Sequence, residues 1–456
     1  MKEPVYRKEA GGLLPLSFPQ HRNLRIFSLV LLILLLAGAW GGRHKLVKAY
    51  AAVDQVRRIR RLHLFTPVPA GRSQSQPGVL AEVRFLADLA EFRARSDQRS
   101  QQFAPQLQPL VQELTRRQAA GENLAYSARI YREIRWRVSF TPDLSATQAR
   151  IADLKASLSP PLDQRLAEQQ SPEDGSWGAG YSVWFLKLYG TVNDALSAGA
   201  APRYPLSFLD RINSPEKLTN YLAALVVDDF LQTGVATRME ADESVSLLGR
   251  LLCGDVQCPY SFHPDLKGAY LQFIDQWQSP ETGCWGNLFV ARDGTLWRMD
   301  DVGMTFHIVS RLKANTKHLD KITRRILQLS TVDFPAGIRV NGHYENHLNW
   351  DVVRILRYAW PTLDAATRQA AQAELKRMLT WCLSQSLQAD GSFKVSDLDD
   401  TYADAMQYGV SFLKDIGYFS EQERFWTDEA FPESAAIHAR ILRRLQSPRA
   451  KAQEPK

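Results

Sequence analysis

Cysteine is scarce in this chain: four in 456 residues, too few for a disulfide framework to hold the fold. The sequence has no Gly-x-x-x-x-Gly-Lys-Ser/Thr loop, no Gly-x-Ser-x-Gly elbow and no dinucleotide fingerprint. Phosphate-driven chemistry and the serine-hydrolase elbow therefore find no support. Positive charge is missing from the part of the chain that would have to carry it for nucleic-acid binding. The net charge is +7, but residues 43–137 hold 18 Lys/Arg against 8 Asp/Glu, whereas residues 138–439 hold 27 against 38. A nucleic-acid partner needs a basic folded surface, and the body has the opposite sign. Apolar material is ample: hydrophobic residues make 45% of the chain and charged residues 23%, with 11 Trp, which excludes wholesale disorder.

Long apolar runs are also missing, with one exception. From Ile26 to Gly42, 17 residues pass without a charge. A helix of that length reaches about 25 Å, and Arg25 and Arg43 can snorkel to extend it. Residues 25–42 are thus read as a single-pass transmembrane signal anchor in an inner or plasma membrane, after a tail over 1–24. The side on which the body lies has two opposed signals. The basic residues on either side of the run lean toward a cytoplasmic body. Cys253 and Cys258 bracket a short turn and could close a disulfide in an oxidising compartment, which favours the extracytoplasmic side; two unpaired thiols are the alternative. Residues 43–140 read as a basic helical spacer or stalk. Helical pattern runs over 45–62 and 79–137, with a loop at 66–78 and breaks at Pro105 and Pro109. Residues 446–456 read as a disordered basic tail.

The body, residues 141–445, contains a repeat. Gln170-Ser-Pro-Glu-Asp-Gly-Ser-Trp-Gly178 returns as Gln278-Ser-Pro-Glu-Thr-Gly-Cys-Trp-Gly286, and a shortened form runs from Gln388 to Phe393. The central glycines, Gly175, Gly283 and Gly391, are 108 residues apart in both intervals. Fixed-period self-similarity marks a stack of equivalent units. Helical pattern precedes each string (148–169, 266–278, 364–387) and follows it (179–190, 301–313, 400–416). Each string therefore joins two helices, with glycine supplying a turn and the aromatic packing back on them. A period of 108 fits two helical hairpins, so three periods give six, and a closed two-layer ring is the natural solution.

The Gln-x4-Gly-x-Trp strings resemble the QW motif of triterpene cyclases and their relatives, which include protein prenyltransferase β subunits. The resemblance covers roughly residues 148–440 and implies an all-α fold, an α/α toroid. Asp397-Leu398-Asp399-Asp400-Thr401 resembles the Asp-x-Asp-Asp-Thr string of class II terpene cyclases. By that match Asp399 would donate a proton, with Asp397 and Asp400 supporting it. Tyr402 and several tryptophans, Trp177, Trp285, Trp297 and Trp350, would then face a carbocation. Prenyltransferase β subunits use an Asp/Cys/His zinc site, but no matching string occurs here, so no metal and no cofactor are expected.

The inner helices of such a ring all start at one mouth, so the residues before them are candidates for chemistry. Asp300 and Asp301 precede the helix that carries His307. His343, Glu345, His347, Trp350 and Asp351 crowd the start of another, and His343 and His347 stand four apart. Acids beside Tyr, Trp, Asn and His suit a carbohydrate or other polar ligand; the acids before helices are also ordinary caps. Three functions stay open: acid-initiated chemistry on an isoprenoid or similar apolar substrate, a glycan-active or glycan-binding toroid of the cell envelope, and a non-catalytic scaffold of a membrane complex.

Overall fold

The computed structural model describes residues 61–68, 79–119, 122–159, 162–396 and 402–446. The run Ile26–Gly42 and the string Asp397–Thr401 lie outside them. Among the described residues no helix is long and apolar enough to cross a membrane. The chain is mostly helical, as expected, with one small sheet that the sequence pattern did not announce.

Two sets of helices alternate along the chain. The first comprises α2 (Ala125–Phe140), α4 (Trp184–Tyr189, prolonged by a π turn to Ala195), α7 (Arg238–Leu252), α9 (Val302–Leu312), α11 (Asn346–Ala359) and α13 (Tyr402–Asp415). The second comprises α3 (Leu144–Ser157), α5 (Pro215–Val226), α8 (Leu266–Trp277), α10 (Leu319–Gln328), α12 (Ala365–Trp381) and α14 (Ser434–Gln446), and the single turn α6 (Phe230–Thr233) belongs to neither. Burial separates the sets. In α9 and α11 nearly every face is buried, whereas α14 buries only Ile441 and α12 one stripe. A helix that is apolar all round belongs inside, and one with a single stripe belongs outside. Within the first set neighbours in sequence are neighbours in space: α4 packs on α7, α7 on α9, α9 on α11 and α11 on α13. Between α2 and α4, Trp136 meets Phe185 edge-on at 5.3 Å, and Arg129 pairs with Asp194 at 2.7 Å.

The three repeated strings form matching hinges. Gly175, Gly283 and Gly391 all adopt left-handed backbone, with φ of +73°, +74° and +90°. Each lies against the backbone carbonyl of a later segment, of Pro205, His318 and Arg440 respectively, with no room for a Cβ. Gln170 Nε2 donates to the Gly175 and Tyr204 carbonyls, and Gln278 Nε2 to those of Gly283 and Lys317, all at 2.8 Å. The N–H groups of Trp177 and Trp285 donate to Thr191 and Thr305 on the following inner helices. The third string is shorter, and Gln388 reaches only the Ser386 carbonyl. Trp177, Trp285 and Phe393 are buried in these hinges, packed within the main hydrophobic core.

Helix α1 (Val79–Ala119) departs from expectation: it runs through Pro105 and Pro109 without a break. Both prolines are exposed, whereas Phe103 and Leu114 on the opposite side are buried against α2 and α3. The carbonyls of Gln101 and Pro105, which lose their helical N–H partners, thus face solvent and can bond water. Part of the expected 66–78 loop is also ordered as a strand. β1 (Phe65–Val68) pairs antiparallel with β4 (Leu296–Met299), β4 with β3 (Leu288–Val290), and β3 in parallel with β2 (Val227–Asp228). Phe85 of α1 stacks on Trp297 of β4 at 5.5 Å and 10°. The segment read as a spacer is therefore packed onto the body, and Trp297 belongs to this second core.

Candidate functional site

The starts of three successive inner helices, α7, α9 and α11, meet in a buried polar cluster that Tyr408 of α13 closes from the next helix. In α7, Arg238 and Asp242 stand one turn apart. Arg238 Nε donates to Asp301 Oδ2 at 2.6 Å, and Asp301 caps α9 by accepting from the Met304 N–H. His307, two turns into α9, sets its Nδ1 3.2 Å from Asp242 Oδ1. Glu345 caps α11, accepting from the His347 and Leu348 N–H groups and from the Ser396 hydroxyl at 2.8 Å. His347 stacks flat on Tyr408 of α13 at 4.0 Å and has its Nε2 3.9 Å from Asp351 Oδ2. The cap reading and the site reading thus hold together for Asp301 and Glu345: each carboxylate closes a helix end and also lines the cluster.

The side chains differ in charge state because their surroundings differ. Burial alone lowers the pKa of His307, but Asp242, Glu243 and Asp351 override it and raise the imidazole to about 9. Burial and the positive His307 push His347 the other way, to about 3, so it is neutral. Burial raises Glu243 to about 7, against the pull of His307 and of Arg132 on α2. Burial also lifts Asp351 well above the ordinary carboxylate range, which favours its protonated form, against the pull of His307 and Arg354. Burial raises Asp301, and the adjoining Arg238 draws it back toward the ionised form. The cluster thus offers a cation, a neutral imidazole and protonated carboxyls side by side, an arrangement suited to acid–base work.

Five polar atoms at the start of α11 have no hydrogen-bond partner in the protein: Asn346 Oδ1, His347 Nδ1, both amide atoms of Asn349, and Asp351 Oδ1. All four residues are buried. An orphaned buried polar atom costs about 1–3 kcal/mol, and such atoms accumulate where a ligand or ordered solvent completes the bonding.

The remaining candidates separate. Asp300 turns away from Asp301 and pairs with Arg325 at 2.7 Å, accepting also from Thr282. His343 is exposed and His347 buried, so the four-residue spacing does not join them in one site. Trp350 belongs to the interior, 5.7 Å from Phe306 and 5.8 Å from Tyr408, with its indole N–H on Asp415. Asp397, Asp399 and Asp400 lie outside the described residues, as does the side chain of Tyr402. Cys253 and Cys258 are separate thiols. Sequence reading looked only at residues just before each helix, so it missed Arg238, Asp242 and Glu243, which lie within the first turns of α7. Their acid-rich start, Arg238-Met-Glu-Ala-Asp-Glu243, was the available signal.

The charge pattern fixes a pH dependence. A histidine whose pKa is raised by folding stabilises fully below its unfolded value of 6.5, and that stability is lost as pH rises through about 9. Glu243 and Asp228, both raised to about 7 by burial, shift stability in the same direction at lower pH, while His347 opposes them there. Between pH 7 and 9 His307 alone should lower the unfolding free energy by about 2 kcal/mol. Asp351 and the buried thiols of Cys284 and Cys382, raised by burial, add to the same downward slope, so a His307→Asn variant should show a shallower profile that still falls. An equal slope in both proteins would remove His307 as the charged member.

The chain matches no known protein family, no curated protein and no solved structure. Its class rests on the geometry above.

Proposed function

We propose that this protein is an α/α toroid that binds, and carries out acid–base chemistry on, a carbohydrate chain at the polar end of its inner helices. Six inner helices alternating with six outer ones, and three matching hinges at one spacing, support the ring. So does electrostatic contact across it: Glu243 of the third inner helix feels both Arg132 of the first and His307 of the fourth. The observation that carries the function is the set of orphaned polar atoms over residues 346–351, beside the protonated Asp351 and the His307–Asp242 ion pair. A hydroxyl-rich ligand supplies many donors and acceptors in a small volume and can satisfy them. Asp351 can then give a proton to a bridging oxygen, and the neutral His347 can exchange one at Nδ1.

Isoprenoid chemistry calls for an apolar interior with free aromatic faces. Here the Arg354 guanidinium already lies over the rings of Phe306 and Trp350, 5.6 and 5.2 Å from their centroids. A cation at that place repels a carbocation rather than sheltering it. A pure scaffold would have no need of so many buried polar groups in one cluster.

The test is a binding screen with short oligomers of N-acetylhexosamine, hexuronate and neutral hexose, with a polyprenyl alcohol as comparator. Binding of at least one oligosaccharide is expected, weakened at least about tenfold in Asp351→Asn and His347→Gln. Asp351→Asn is nearly isosteric with the protonated carboxyl, and His347→Gln keeps a neutral polar group while losing the ring stacked on Tyr408, so melting curves accompany both. Binding of the polyprenyl alcohol alone, or sugar binding indifferent to both variants, would sink the reading.

A further inference from the structure

A second feature lies on the outer surface, where the turn before α11 meets α12. Here an open groove of about 450 Å³ is lined by Arg339, His343, Tyr344, Lys376, Arg377 and Trp381, among others. That volume lies within the range of small-ligand sites. Three of the six are permanent cations. The carboxylate beneath them, Glu374, is 1% exposed and already engaged: it accepts from the Tyr344 hydroxyl at 2.6 Å and from Arg377 Nε at 3.0 Å. Burial and Glu374 push the Tyr344 phenol up to about 12, so it stays a donor to that carboxylate. Lys376 has only an exposed partner, Glu429 at 2.9 Å, a contact readily exchanged. Arg377 Nη2 also donates to Glu374, so one edge of the guanidinium is taken; the side chain is 56% exposed, which leaves the outer Nη1–Nη2 edge for a ligand. Arg339 lies over the Tyr344 ring, and the Tyr344 and Trp381 rings are 6.3 Å apart.

We propose that this groove binds an acidic sugar unit, its carboxylate held by Arg377 and Lys376 and its ring face laid against Trp381. The combination of features selects this chemistry. A planar carboxylate matches the guanidinium fork in two bonds. A sugar ring offers an apolar face to an indole and hydroxyls to the rim. An acidic peptide would use the cations but not the flat face. A nucleic acid carries a charge on every phosphate and needs an extended basic surface, whereas a single uronate unit needs only the cations of this groove. The proposal extends the carbohydrate reading to a different place in the molecule and depends on different side chains.

The test is calorimetric titration of the whole protein with tetragalacturonate, with its carboxyl-reduced neutral counterpart and oligoglutamate as controls. Wild type is expected to bind the uronate, with affinity falling as salt rises. Arg377→Glu and Trp381→Ala change partly exposed side chains, and circular dichroism and melting curves establish that they fold. Each should weaken uronate binding at least about tenfold, as should reduction of the carboxyls, and both losses should persist in an Asp351→Asn background, which removes any share of the central site. Absence of uronate binding, equal binding by both groove variants, or equal binding of oligoglutamate would overturn the assignment. Neutral-sugar binding that needs Asp351, combined with uronate binding that ignores Arg377, removes the groove and keeps the central site. The converse pattern removes the central site and keeps the groove.

Discussion

Replacing Arg325 with methionine should lower the unfolding free energy by about 3–5 kcal/mol, the largest loss we expect from any single polar change. The guanidinium is almost wholly buried. Its Nε holds Asp300 at 2.7 Å, its two terminal nitrogens hold the carbonyls of Leu62 and His63 at 2.7 Å each, and one of them also reaches Gln328. Methionine fills the volume but leaves Asp300 buried with Thr282 as its one remaining side-chain donor. Breaking a buried pair from one side is far worse than removing both charges. The double variant Asp300→Asn/Arg325→Met should therefore recover a large part of the loss in chemical denaturation. Amide exchange should also quicken over residues 61–68, which lose two of their ties to the body. A single-variant loss below about 1 kcal/mol would show that the clamp is not a structural centre.

The hinge glycines give the second large effect, as a graded series. An alanine at Gly175 would place its Cβ 1.9 Å from the Pro205 carbonyl oxygen; at Gly391 the closest approach is 2.7 Å to Arg440, and at Gly283 2.9 Å to His318. All three also force a side chain into left-handed backbone. Gly175→Ala should be the most destabilising, by about 3–4 kcal/mol, with Gly391→Ala next and Gly283→Ala mildest. Gly199 supplies the control, since it too has φ of +82° but nothing within 4 Å. Its alanine variant should show the backbone penalty alone, about 1 kcal/mol. If melting temperatures placed Gly199→Ala level with Gly175→Ala, close approach would not be the reason for glycine at the hinge.

These residues also show what a bare sequence can convey. The hinges were visible because identity at a fixed interval needs no knowledge of partners, and Gly175, Gly283 and Gly391 do share one conformation. Some helix positions followed from periodicity: the structure starts α8, α9 and α13 within two residues of the expected points, whereas the helix expected over 148–169 runs Leu144–Ser157 and that expected over 179–190 starts at Trp184. Strand β1 stayed hidden because its partner lies some 230 residues downstream and its four residues carry no alternation of their own. Pro105 and Pro109 misled because the cost of a proline depends on which way the freed carbonyl faces. The polar cluster was half visible. Asp301, Glu345, His347 and Asp351 stood out by their place at helix starts, whereas Arg238 and Asp242 needed the relative rotation of two helices. His343 and His347, four apart in sequence, separate because α11 begins only at Asn346, which leaves His343 on the exposed turn before it.

The pairing of Phe65–Val68 with Leu296–Met299, reinforced by Arg325, has a mechanical consequence. Tension applied to the chain ahead of residue 61 does not enter the helical body through α2. It is delivered across the sheet to the connection beneath the second hinge, beside Asp301. A pull on the leading end of this polypeptide is thereby felt next to the charged centre before it is felt by α2, although α2 comes first in the order of synthesis.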